Sequence, residues 1–188
     1  FEYSYLVSSM PLPELLRLIE GVPEQLCDMT SRLEYMSLRI EMILVGKKLK
    51  TEIQRIYSAD HDVPPHKIAL NHNSSDSLRK VDRHAIMAEV SMSPEKEIDE
   101  GAIAKKTVRF LSEIGIIEGA EDVIWSGHED IKYGYPVYTH QRQEIVSAVK
   151  EWLAKFDIHS IGRFGEWEYI NSDKCIMKGI ELAKQLDA

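Results

Sequence analysis

From Tyr35 to Leu44 the chain reads YMSLRIEMIL, with Met36, Leu38, Ile40, Met42 and Leu44 at every second position. Tyr35, Ser37, Arg39 and Glu41 fill the positions between them. Side chains of an extended chain alternate between two faces, so this period predicts a long, half-buried strand ending near Gly46. Three shorter strand candidates follow in IQRIYS, KIALN and IMAEVS, joined by HDVPPH and NSSDSLRKVD, whose Pro, Asn, Asp and Ser favour turns. Together they predict a mostly antiparallel sheet of about four strands.

The flanks read differently. Residues 5–9 form a strand candidate, and PLPELLRLI then reads as a helix capped by Ser9, with prolines in its first turn. A helix over 98–114 would place Ile103, Phe110, Leu111 and Ile114 on one face and stop at Gly115. Residues 122–126 and 133–138 look extended. Thr139 then caps a helix whose Ile145, Val149, Trp152, Leu153 and Phe156 keep helical spacing. A short strand over 158–161, a glycine-containing loop and a helix from Ser172 to about Leu186 complete an α+β chain.

Charge and motif content exclude several chemistries. A net charge of −8 and the lack of a basic run argue against a nucleic-acid partner. No apolar stretch is long enough to span a bilayer, and FEYSYLVSS lacks the layout of a signal peptide. Cys27 and Cys175 lie far apart, as expected of reduced thiols in a cytoplasmic protein. His61, His66 and His72 are broken up by prolines and a turn and read as surface or turn histidines rather than metal ligands. Glu118, Glu121, Asp122, Glu129 and Asp130 read as a solvated acidic edge. No Gly-x-Ser-x-Gly, Gly-x-Gly-x-x-Gly or phosphate-loop pattern is present, so no catalytic residue is singled out.

The stretch GRFGEWEYINSDKCIMKG, residues 162–179, is the best site candidate. Gly162 and Gly165 allow close backbone approach, and Arg163 offers a fork-shaped donor to phosphate or carboxylate. Asn171 or Ser172 would cap the last helix, with Asp173 in its first turn. The same residues also fit a tight turn, with Arg163 in a surface ion pair and Trp167 and Tyr169 in the core.

Four stretches in order resemble the C-terminal half of the FAD-dependent amine-oxidoreductase superfamily, in its UDP-galactopyranose mutase and protoporphyrinogen-oxidase-like branches. They are YSYLVSSMPLPELLRLI, RIYSADHDVPPHKIALNHNSS, YGYPVYTHQRQEIVSAVKEWL and IGRFGEWEYINSDKCIMKGIELA. The resemblance implies FAD as cofactor, with Gly162, Arg163, Asn171, Ser172, Asp173 and Cys175 facing it. Tyr133, Tyr135 and Tyr138 would lie on the substrate side, with Tyr57 and Trp167 as further pocket residues; each tyrosine is equally compatible with core or interface packing. It also implies three segments: 1–20 as a strand–helix returning to the FAD domain, 21–135 as the substrate domain, and 136–188 as the C-terminal FAD-contacting segment.

The dinucleotide-binding Gly-x-Gly-x-x-Gly of that superfamily is not in the chain. The expectation is therefore a piece of a longer protein, partnered by an N-terminal FAD-binding region and binding FAD weakly or not at all alone. Its substrate would be a small molecule or sugar nucleotide, for whose diphosphate Arg39, Arg55 and Arg79 are available but not distinguished by spacing. Association into a homo-oligomer is compatible with the sequence. The alternative is a non-enzymatic binding module that has lost the dinucleotide half.

Overall fold

The computed structural model describes residues 2–93 and 99–187. Ile98, expected to open a helix, lies outside the described residues. The class is α+β, and the chain divides into two compact units, Phe1–Met36 with Tyr133–Ala188, and Ser37–Lys132. Residues 21–36, grouped by sequence with the central segment, belong to the first unit.

In the first unit, β1 (Leu6–Ser8) pairs in parallel with β7 (Ile158–Ser160). Helices α1 (Leu12–Arg17), α2 (Glu24–Ser31) and α4 (Arg142–Ala154) form one core with Leu12, Leu15, Leu16, Leu26, Ile145, Val149 and Leu153. Helix α2 was not legible, being only two turns long with two buried residues, Leu26 and Thr30. Capping also departs from expectation. Pro11, not Ser9, precedes α1, and Gln141, not Thr139, precedes α4. Phe156 lies beyond the end of α4, half exposed, with its ring 4.9 Å from that of Trp152. A four-residue helical turn, α5 (Gly162–Gly165), precedes the last helix, α6 (Ser172–Leu186).

The second unit is built on a five-stranded sheet in the order β3-β4-β5-β2-β6: β2 (Tyr35–Val45), β3 (Arg55–Tyr57), β4 (Lys67–Ala69), β5 (His84–Met92) and β6 (Val123–Pro136). The first residues of β2 and the last of β6 belong to the first unit. The β3–β4, β4–β5 and β5–β2 pairs are antiparallel. The fifth strand arises because the two extended segments after residue 122 are one continuous strand.

Helix α3 (Ile103–Glu113) contributes Leu111 to a core with Ile43, Val45, Ile68, Ile86 and Ala88. That core uses the opposite parity of β2 from the one its alternation suggests. Leu38 and Ile40 are buried as the alternation predicts, but Met36, Met42 and Leu44 are only half-buried, while Arg39 and Glu41, in phase with Ile43 and Val45, are also buried. For Arg39 the physical reason is ion pairing, whereas burial pushes the Glu41 carboxyl above its ordinary value. The Arg39 guanidinium meets Asp130 at 2.7 Å and Glu100 at 2.9 Å, so a charge can occupy the covered face. Asp130 is thus ion-paired while still 59% exposed, whereas Asp122, 10% exposed and 2.8 Å from Lys47, is not part of a freely solvated edge. On the helix, Thr107 is buried where Ile114 is exposed, and Gly115 takes the left-handed conformation (φ 73°) that stops it.

The histidines also need correction. His72 is buried and stacks on buried His84, ring centroids 4.4 Å apart. Their Nδ1 atoms accept from the Ala85 and Leu49 N–H groups. Burial, then the neighbouring His72 and Lys48, hold His84 below the usual imidazole value. Among the described residues no three His, Cys, Asp or Glu side chains converge as a metal cage would require.

Candidate functional site

The site candidate lies in the first unit, where the chain leaves β7. The Ile161 N–H donates to Ser8 O at 2.9 Å, extending the parallel pairing by one bond. Gly162 then turns with φ 84°, and a Cβ there would lie 4.0 Å from the nearest atom, Ser9 Cβ. Its glycine is required by backbone conformation. Gly165 is required by space, since a Cβ would lie 2.9 Å from Ser160 Oγ and 3.4 Å from Ser8 O.

Trp167 has φ 50°, an uncommon conformation for a bulky residue, and is fully buried. Several bonds hold it there. Its indole N–H donates to Glu34 O at 3.0 Å, its carbonyl accepts from the Arg142 guanidinium, and its ring packs against Tyr35, Tyr133 and Phe164. No part of the indole is left to line a pocket.

Glu166 anchors the turn electrostatically. Its carboxylate lies 2.8 Å from Lys150 Nζ and 2.9 Å from Lys178 Nζ, and accepts the Gly162 N–H at 3.3 Å. Burial pushes this carboxyl up, but the two lysine bonds outweigh burial and leave it below its ordinary value. Beside it a cavity of about 310 Å³ is lined by Lys150, His159, Ser160, Glu166 and Lys178.

Arg163 makes no surface ion pair among the described residues. Its Nε and Nη2 donate to the Ile170 carbonyl at 2.8 and 2.6 Å, and its guanidinium lies 5.1 Å from the Tyr169 ring and 5.7 Å from the Tyr135 ring. Tyr138 Oη accepts the Tyr169 N–H at 2.8 Å, and the Arg142 guanidinium sits 4.4 Å over the Tyr138 ring. Arg163, Tyr135, Tyr138 and Tyr169 therefore form one aromatic and cationic cluster, with Tyr138 and Tyr169 exposed and Arg163 and Tyr135 half-buried. Tyr169, which the tight-turn alternative placed in the core, is 56% exposed. No residue pattern in the stretch signals that outward position, since residues two apart in an extended segment share a face. Arg142 carries no such signal, because only the fold brings α4 under this turn.

Tyr133 instead packs into the core and donates its hydroxyl to Glu14 at 2.6 Å. Tyr57 belongs to the second unit, exposed on edge strand β3. Asn171 occupies the N-cap position of α6 without a side-chain capping bond, and Ser172 and Asp173 are exposed in the first turn. Cys175 is a partly exposed free thiol in the next turn, and Cys27 is free and exposed on α2. The helix presents Ile176, Met177 and Ile180 to solvent and buries no residue, so its apolar stripe does not serve a core. No described helix is long and apolar enough to cross a membrane.

The sequence matches no protein-family model. Its fold does have solved counterparts. It superposes on a reduced UDP-galactopyranose mutase with a TM-score of 0.77 and 23% identity, over 90% of this chain and 38% of that one. The chain shares that fold. A putative protoporphyrinogen oxidase from Exiguobacterium sp. 255-15 gives a TM-score of 0.60 and 15% identity, over 95% of this chain and 41% of that one. The chain thus spans well under half the length of either structure.

Proposed function

We propose that this chain is the substrate-domain and flavin-closing portion of an FAD-dependent oxidoreductase or mutase of the amine-oxidoreductase superfamily. The observation that carries the reading is the fold likeness over 90% of the chain to a UDP-galactopyranose mutase, joined to a glycine-dependent turn that opens onto an uncapped helix. Residues at that turn fit a flavin nucleotide. Gly162 leaves room for a close approach, and the α6 N-terminus offers N–H groups that no Asn171 side chain satisfies.

When bound, the flavin would supply the redox or covalent chemistry. Gly162 would approach its backbone-facing side, while Asn171, Ser172, Asp173 and Cys175 would line the helix end that favours negative charge. Arg163 has two of its donors committed to Ile170, so its role is to fix the turn and to offer its remaining edge. Tyr135, Tyr138 and Tyr169 would form the aromatic wall on the substrate side.

The reading is tested in the reading frame and in the tube. A Gly-x-Gly-x-x-Gly strand–turn–helix encoded in frame before Phe1, and stoichiometric flavin on the joined polypeptide but not on this chain alone, are the expected results. A frame without that motif, or full flavin occupancy of the isolated chain, would overturn it. The frame result would then favour a non-enzymatic binding module.

A further inference from the structure

The second unit carries a basic cavity that the flavin reading does not use. The loop after β2 and the turn after β4 enclose about 390 Å³, lined by Lys48, Lys50, Thr51, Glu52, Asn73 and Arg79 among others. Three cations face one carboxylate there, in a chain whose net charge is −8. Neighbouring Lys47 is engaged by Glu118 and Asp122, each at 2.8 Å. Among the described residues Lys48, Lys50 and Arg79 have no carboxylate partner.

Hydrogen bonds also tie the walls of the cavity together. Buried Asn73 donates its side-chain amide to Thr51 O at 2.9 Å and Ile53 O at 2.7 Å, tying the loop to the turn. The Asn73 carbonyl in turn accepts Arg79 Nε at 3.2 Å and Nη2 at 2.5 Å, fixing the guanidinium and leaving its Nη1 edge to a ligand. Leu49, buried between the two lysines, donates its N–H to His84 Nδ1 at 3.3 Å. Three exposed cations beside one carboxylate leave the site net positive, and a loop already tied to the turn means an anion entering here has less to order.

We infer that this cavity binds a small phosphate-bearing anion, with Arg79 supplying directed donors and Lys48 and Lys50 supplying charge. A phosphate ester or diphosphate fits better than a carboxylate because three separated cations match an anion of several charges. The volume falls at the lower end of small-molecule pockets, roughly 300–1,000 Å³.

The test is titration of the full 188-residue chain with pyrophosphate, inorganic phosphate and citrate at low salt, followed by calorimetry and backbone amide NMR. One saturable site is expected, tightest for pyrophosphate, with shifts centred on residues 48–52, 73 and 79. The double variant Lys48→Gln/Lys50→Gln should bind pyrophosphate about tenfold more weakly or worse. Lys155→Gln, an exposed change in the other unit, should leave binding unaltered. Lack of saturation by about 10 mM pyrophosphate, equal affinity for citrate, undiminished binding by the double variant, or shifts centred on Lys150 and Lys178 would each overturn the assignment. None of these outcomes bears on the flavin-facing residues of the proposed function, which lie in the first unit.

Discussion

Replacing Glu166 with Gln tests how the candidate turn is held. The carboxylate side chain is 13% exposed and makes bonds of 2.8 and 2.9 Å to lysines whose side chains are 41% and 30% exposed. A charge-assisted hydrogen bond contributes about 1.5–3 kcal/mol net, and an exposed ion pair about 0–1 kcal/mol. With the lysines partly solvated, the two bonds together should contribute about 1–3 kcal/mol at neutral pH. Glutamine keeps the shape and an acceptor for the Gly162 N–H, so the loss reports on charge.

The pH dependence gives the sharper result. Because the folded carboxyl sits below its ordinary 4.5, the unfolded chain takes up the proton first as pH falls. The stabilisation is therefore complete above that ordinary value and is lost as pH drops through the depressed folded one. Urea unfolding of wild type and Glu166→Gln, followed by tryptophan fluorescence, should show a full gap at neutral pH that closes below about 4.5. A gap that stays constant, or widens, as the pH falls well below that value would refute the reasoning.

Other consequences can be checked alongside. Gly165→Ala should cost about 1–3 kcal/mol through its clash with Ser160 and the Ser8 carbonyl, and an unchanged thermal midpoint would contradict the packing described. Asp130→Ala removes the paired acceptor of buried Arg39 and should lower the urea midpoint by the equivalent of about 1–3 kcal/mol. Asp130→Asn, which keeps an acceptor, should lose less, and equal losses would count against the charged bond. The His84 imidazole should titrate below the ordinary 6.5 in NMR, because burial and then His72 and Lys48 oppose its charge. Titration at or above that value would count against the buried stack.

Local pattern was readable wherever one periodicity dominated. The helix holding Ile145, Val149 and Leu153 declares itself by spacing, and the strand from Tyr35 by alternation. That the other face of that strand would be covered as well was not readable. Arg39 and Glu41 look like solvent-facing residues, and only the fold brings Asp130 of β6 to the Arg39 guanidinium. Helix α2 was too short to leave a period, and Thr139 resembles a cap that the chain does not use. In the candidate site, Gly162, Arg163 and the start of α6 stood out by residue type. Arg142, Glu166 and the outward turn of Tyr169 did not, because their partners are far along the chain or lie on another helix.

The α+β class, most of the elements and the glycine-bearing turn follow from local period and residue type, and the resemblance to flavin enzymes from four stretches in order. Tertiary structure decided which charges could be buried, that Trp167 would be held in a left-handed conformation inside the core, and that Lys48, Lys50 and Arg79 would share one cavity. Those outcomes depend on partners distant in the chain, and a side chain's pattern of neighbours along the sequence carries no record of which distant group will balance its charge or bond its backbone.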